Sequence, residues 1–302
     1  MTKGAAGSEN AGAAGVPPPS VLPVDPMPAP WQQGLGHESH AARSPSEGPP
    51  PRTTGDAATW LFLAAGGFVV GQILSIVILS GVAALNGHSS DWSVLAARAV
   101  PPAWIVVGGL LGLWIGFIGA VLVASVWRGT RSIVADMGLR FGRWDPLIGL
   151  GAGLAGQFIL LPLLYLPWEH VDPHLSHELQ QPAKHLTGGF PGVDLAVIAV
   201  LTVVIVPVVE ELFFRGLVLR GFIRIFAGAG RILGPLLAVT TTGIVFGLAH
   251  AELLELLGLG AFGIVLSVIA YRCKRLGPCI VAHATFNLVA ILSIAFPSGI
   301  VH

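Results

Sequence analysis

P-V-V-E-E-L-F-F-R-G-L-V-L-R-G-F-I-R, from Pro207 to Arg224, decides how the rest of the chain is read. From Leu195 to Val209 the sequence is apolar except for Thr202. Glu210 and Glu211 then stand side by side, and Arg215 follows four residues after the second. Charge within an apolar helix is costly unless it is paired or meets water, so such a cluster marks a functional site. Glu211 and Arg215 are i and i+4, one turn apart on one helical face, with the acid on the favourable N-terminal side. Glu210 lies about 100° further around the helix. One carboxylate can therefore be held by Arg215 while the other points elsewhere. The plainer reading is an ordinary ion pair near a membrane end, where charges snorkel to water.

The composition sets the surroundings. The 302 residues are 53% hydrophobic and only 11% charged, with a mean hydropathy of +0.77. A soluble domain carries about 25% charged residues, so this is a membrane protein. Its formal net charge of zero argues against nucleic acid as a partner. Cys273 and Cys279 form neither a disulfide framework nor a zinc-ligand spacing and read as small helix-packing residues.

Working outward, residues 1–57 are rich in Pro, Ala, Gly and Ser, with P-P-P at Pro17–Pro19 and again at Pro49–Pro51. Few large apolar side chains are present to offset the entropy of ordering, so a disordered tail is expected. Without a basic segment leading into an apolar run it does not read as a signal peptide. The membrane domain is expected over 58–302. Seven apolar runs follow at about 59–85, 103–127, 145–167, 194–217, 233–251, 255–272 and 277–297, each near the ~20 residues that cross a bilayer. The expected fold is all-α, a polytopic transmembrane helical bundle of about seven spans, or eight if one path re-enters. Gly108, Gly112 and Gly116, and likewise Gly149 and Gly153, recur every four residues and mark close-packing faces.

Lys and Arg in the short loops give the orientation. Arg128, Arg131, Arg140 and Arg143 follow the second run, Arg220, Arg224 and Arg231 end the fourth, and Arg272, Lys274 and Arg275 end the sixth. If these loops are cytoplasmic, the N-terminus is cytoplasmic and the C-terminus outside. The opposite loop from Trp168 to Val193 contains His170, His174, His177 and His185. Four histidines could bind a metal, but Pro173 breaks their register and a plain polar loop is the simpler reading.

Two more polar pairs interrupt late apolar runs: Phe246 and His250 in G-I-V-F-G-L-A-H-A-E, and His283 and Asn287 in V-A-H-A-T-F-N-L. Each pair is i, i+4 and shares a helix face. A single histidine of this kind could be a satisfied core residue; the combination on three helices points to chemistry. A glutamate with a histidine can hold a water and take its proton. A second histidine and an amide can donate to the oxyanion of a tetrahedral intermediate. Glu210, His250 and His283 could instead hold zinc and activate its water, or the groups could relay protons in a transporter. H-E-x-x-H, G-x-S-x-G and G-x-G-D are all absent, which weakens site-2-type zinc, rhomboid-like serine and presenilin-like aspartyl proteases.

E-E-L-F-F-R at Glu210–Arg215, F-G-L-A-H at Phe246–His250 and H-A-T-F-N at His283–Asn287 resemble the three motifs of the CPBP family of intramembrane endopeptidases. That family includes the CAAX prenyl proteases and the Abi proteins associated with bacteriocin processing or immunity. The ordered triple is specific where each motif alone is weak, and it covers about 194–297 with no departure at the motif positions. The resemblance implies a hydrolase acting on a membrane-associated peptide or protein, prenylated in the best-known cases. Glu210 would be the general base and His250 would share its water. His283 and Asn287 would stabilise the oxyanion, Glu211 and Arg215 would form a structural ion pair, and Phe246 would pack beneath. Catalysis without a tightly bound metal is favoured over zinc, because Asn287 and the Glu211–Arg215 pair supply charge stabilisation a metal would otherwise give. A non-catalytic binding or immunity protein on the same fold is the alternative, and a proton-coupled transporter is a third. The Ala-, Gly- and Pro-rich composition suggests a high-GC bacterium and its plasma membrane.

One expectation conflicts with the rest. At ~1.5 Å per residue, His283 lies about 9 Å into its run from the cytoplasmic side and Glu210 falls about 24 Å in from the outside. These agree, but His250 sits at the far end of its run. Either the fifth run starts too early, or it forms a short helix and the chain after His250 re-enters, with Pro235 and the glycines Gly258, Gly260 and Gly263 breaking the path.

Overall fold

A computed structural model describes residues 54–85, 93–94, 102–172, 193–251 and 254–295. The tail before residue 54 lies outside them, as do His174, His177 and His185. Among the described residues every element is helical. α1 is Thr54–Leu85, α2 Ala103–Arg128 and α3, one short turn, Ile133–Met137. α4 runs Asp145–Glu169 and α5 Asp194–Ala229. α6 is Leu233–Ala249, α7 Leu256–Cys273 and α8 Gly277–Ala295.

All seven expected apolar runs are helical. Among the described residues five helices are long and apolar enough to cross a membrane: α1 from Ala58, α2, α4, α5 and α7. The apolar parts of α6 and α8, Leu233–Ala249 and Gly277–Ser293, are shorter. At 1.5 Å per residue 17 residues reach about 25 Å, less than a ~30 Å hydrocarbon core. The expected helical bundle of about seven apolar runs is borne out, with the apolar parts of α6 and α8 its shortest members. The chain is an integral membrane protein.

α5 also departs from its expected end at 217. It continues to Ala229, so Arg220 and Arg224 are helical rather than part of a loop. Their charges are accommodated locally. Arg220 Nη1 donates to the main-chain oxygen of Asp136, and the Arg224 guanidinium lies 4.2 Å from the ring centre of Trp60. Two turns of α5, Leu201–Ile205 and Leu212–Val218, are π-helical, and α4 has a third at Gly156–Leu160. Such turns insert an extra residue per turn and often accompany functional sites.

Small residues set the packing. A Cβ on Gly112 would strike the backbone of Ser75, and one on Gly116 would strike Gly67 and Gly71, so α1 and α2 meet backbone to backbone. Gly149 and Gly153 admit Val281, Ala282 and Thr285 of α8 in the same way. Both expected glycine faces are borne out. The glycines of α7 do something other than break it. Leu256–Cys273 is one continuous helix, and Gly263 lies against Gly243 of α6 while Gly258 lies against Tyr165 of α4. Cys279 is buried and donates to the carbonyl oxygen of Leu266, a packing role as expected.

Candidate active site

The site is built where α5, α6, α7 and α8 meet, about halfway along α5. Glu211 and Arg215 form the expected pair, Nη1 to Oε1 at 2.8 Å, with both side chains fully buried. The same Oε1 accepts from His283 Nδ1 at 3.0 Å. Arg215 Nη2 donates to the carbonyl oxygen of Gly263 at 3.0 Å. One buried cluster thus joins α5 to α7 and α8. Charge-assisted bonds of this kind are stronger than neutral ones, and in a low-dielectric setting they depend on all partners being present.

Glu210 points elsewhere, as the 100° offset requires. Its Oε2 is buried, takes no hydrogen bond from the described residues, and lies 3.8 Å from His283 Nε2. Glu211 Oε2 and Arg215 Nε are also without a partner there, but both residues are anchored by their other atoms. Glu210 is not. His283 therefore stands between two carboxylates, one holding Nδ1 and one facing Nε2. With Nδ1 donating to Glu211, Nε2 is the atom left for other work, and it donates only when the ring carries both protons.

Phe246 is the centre of the ring packing. Its centroid is 4.7 Å from that of His250 and 5.7 Å from that of His283, both edge-on. The Arg215 guanidinium lies 4.4 Å from the Phe246 centroid, a cation–π contact. Phe214 meets Phe246 edge-on, and Phe213 stacks on Phe117 of α2 at 3.8 Å. These rings form the apolar bed beneath the charged groups.

The displaced position of His250 has a physical reason. α6 begins at Leu233 and is short, and His250 is its C-terminal cap residue. Its Nδ1 lies 2.8 Å from the carbonyl oxygen of Phe246, one turn back. Helical side chains lean toward the N-terminus, so a histidine at the end of a short helix reaches back to the ring that also touches His283. Nδ1 must donate to that carbonyl, which leaves Nε2 as a lone-pair acceptor. His250 approaches the group through Phe246, and no direct bond joins it to Glu210 among the described residues.

Asn287 has a role that its motif did not reveal. In the π-turn of α5, the N–H of Val206 bonds to the carbonyl of Leu201, five residues back. The next donor in that register would be Pro207, which has no N–H. Asn287 Nδ2 donates to the matching carbonyl, that of Thr202, at 2.9 Å. One amide N–H is thereby committed to repairing α5, and the second remains for a ligand. Asn287→Asp removes the donor while keeping the shape. It is expected to destabilise the protein by about 1–3 kcal/mol, the cost of an orphaned buried polar group, on top of any loss of activity. Thermal melting in detergent checks this, and an unchanged melting temperature would show that the bond contributes little.

Two further residues escaped the sequence reading. Gln157, within the π-turn of α4, donates to the Phe286 carbonyl at 2.9 Å, next to Asn287. Tyr165 donates to the Leu254 carbonyl at 2.7 Å and accepts from Gly258 N at 2.9 Å, tying α4 to the start of α7 just beyond His250. Polar residues within an apolar run were the available signal for both.

A zinc site would require Glu210, His250 and His283 to converge. Among the described residues no group of three or more His, Cys, Asp and Glu side chains is arranged to hold a metal ion. Both histidines have Nδ1 engaged and Nε2 left over, as a metal-ligating histidine also would.

Residues 192–289 match the family described as Rce1-like, type II CAAX prenyl endopeptidase Rce1-like. The expected resemblance to the CPBP and CAAX protease family is borne out over this segment, which contains all three motifs. The family described is one of proteases. No curated protein and no solved structure matches the chain.

Proposed function

We propose that this protein is an intramembrane endopeptidase that hydrolyses a peptide bond of a membrane-associated peptide or protein, with Glu210 as the base. The observation that carries the reading is the Glu210 carboxylate: buried, without a hydrogen bond from the described residues, and 3.8 Å from a histidine whose other nitrogen is fixed. A buried polar atom left unsatisfied in a native site calls for a role. Glu210 takes a proton from water as it attacks the peptide carbonyl, and His250 Nε2 shares that water. His283 Nε2, when protonated, and the second N–H of Asn287 donate to the oxyanion. As the intermediate collapses, the proton on Glu210 passes to the leaving amine. Glu211 orients His283 throughout.

The family description favours a prenylated C-terminal peptide as substrate. A bacterial plasma membrane, with the N-terminus cytoplasmic and the C-terminus outside, follows from composition and from the Arg- and Lys-rich loops. The test is cleavage of synthetic prenylated and unprenylated peptides by purified protein, with the termini of the products identified. Cleavage with a new terminus is expected to persist after exhaustive chelation, because Glu210 acts without a resident metal. Activity lost on chelation and restored by one equivalent of zinc would reverse the metal-free assignment. Absence of cleavage of any membrane-fraction peptide would favour the binding or immunity reading.

A further inference from the structure

The N-cap residue of α7, Glu255, makes no side-chain capping bond to the helix. The first N–H groups of a helix have no partner within it. Gly258 N is one of them, and its acceptor comes from another helix: the Tyr165 hydroxyl of α4, at 2.9 Å. The same hydroxyl donates to the Leu254 carbonyl oxygen at 2.7 Å, in the turn that leads into α7. Tyr165 is buried, and its one oxygen serves as donor and acceptor on the two sides of that turn.

His250 is set against the same turn. A Cβ on Gly247, three residues before His250, would lie 2.9 Å from the Leu256 carbonyl oxygen and 3.0 Å from Gly260 N. The last turn of α6 therefore rests on the backbone of the first turn of α7. The Gly247 carbonyl accepts from His250 N at 3.2 Å, and the Phe246 carbonyl lies 2.8 Å from His250 Nδ1. Ala251, next in the chain, has a left-handed backbone, φ 57°. A residue with a Cβ keeps that conformation where its surroundings hold it. From hydroxyl to imidazole the path runs through Gly258, Gly247 and the last turn of α6.

We infer that Tyr165 is a positioning residue for His250: its hydroxyl fixes the first turn of α7, and through it the end of α6 that aims the imidazole. The catalytic consequence rests on the peptidase reading, in which His250 shares the attacking water; the placement of the ring does not.

A change far from the chemistry that misplaces a reacting group by about 1 Å can cost about 10²-fold in rate. Phenylalanine keeps the ring of Tyr165 and removes both bonds. In Tyr165→Phe, kcat for peptide cleavage is expected to fall about 10–100-fold, with KM within about twofold of wild type. In a His250→Ala background the same change should cost less than about twofold, because the group it positions is gone. An equal loss in both backgrounds makes Tyr165 a structural residue and overturns the proposal.

NMR spectra of the full chain labelled with ¹⁵N-histidine, in detergent, test the placement without activity. His250 is expected to show the Nδ1–H tautomer in wild type and to lose it in part in Tyr165→Phe, while His283 stays unmoved. A His250 signal identical in the two proteins overturns the proposal, whatever the rates. Wild-type protein that cleaves no peptide, with the His250 signal still moved by the substitution, overturns the peptidase reading alone. Amide exchange of the wild type needs no variant and decides the matter if Tyr165→Phe does not fold. The N–H groups of His250 and Gly258 are expected to exchange within about threefold of each other, as parts of one cooperative unit. Gly258 exchanging freely while His250 stays protected overturns the proposal.

Discussion

Glu210→Gln is expected to lower the rate of peptide cleavage by about 10²–10⁴-fold, the usual contribution of a general base, while the protein accumulates and melts close to wild type. The reason lies in what Glu210 does not do. Its Oε2 takes no hydrogen bond from the described residues and lies 3.8 Å from His283 Nε2. Glutamine has the same shape and leaves the packing beneath it unchanged, but its amide oxygen cannot take a proton from water. Removing Glu210's charge also removes repulsion from Glu211, so the fold has no electrostatic reason to weaken. Single-turnover cleavage and thermal melting on the same preparation separate the two effects. Full activity in Glu210→Gln would transfer the base role to another residue. A variant that unfolds instead would show that Glu210 is structural.

The helices were legible because their apolar runs are long and their breaks are marked. Pro102 stands at the start of α2, Gly230 with φ 94° ends α5, and the basic turn from Cys273 to Leu276 separates α7 from α8. The length of α5 was not legible. Arg220 and Arg224 look like a helix end to any rule that counts charges, and partners such as the Asp136 carbonyl and the Trp60 ring accommodate them within the helix. Both partners are distant in sequence. The glycines of α7 were misread for a related reason. Glycine marks both a break and a close approach, and the presence of Gly243 on the neighbouring helix decides between them.

In the site, i, i+4 spacing gave the Glu211–Arg215 pair and the separate direction of Glu210, because both are properties of one helix. Bonds between helices were beyond it. His283 on Glu211 and Asn287 on Thr202 span 72 and 85 residues. The second bond has a local cause in Pro207, which deletes a donor, but the sequence does not reveal which side chain supplies the replacement. The conflict over His250 came from leaving open where α6 ends. His250 is the cap of a 17-residue helix, and α7 is one continuous helix.

Arg215→Ala is expected to be the most damaging single substitution in folding terms. Arg215 is fully buried and carries three contacts at once: Glu211 at 2.8 Å, the Gly263 carbonyl at 3.0 Å and the face of Phe246 at 4.4 Å. Its loss leaves Glu211 as a buried carboxylate whose remaining partner is His283. Breaking a buried pair by removing one partner costs about 3–5 kcal/mol. For a chain of this size that corresponds to a drop of roughly 10 °C in melting temperature, and to poor accumulation in the membrane. Adding Glu211→Gln should restore part of the loss, since glutamine carries no charge to strand yet keeps an oxygen for His283 Nδ1. The bond from Arg215 to the Gly263 carbonyl stays missing in both variants, where Ser267 Oγ alone among side chains still donates to that oxygen at 2.7 Å, so the rescue is expected to be incomplete. Melting curves in detergent for Arg215→Ala, Glu211→Gln and the double variant give the coupling directly. If Arg215→Ala melts with wild type while Glu210→Gln unfolds, the division of labour between the two glutamates is the reverse of the one drawn from this geometry.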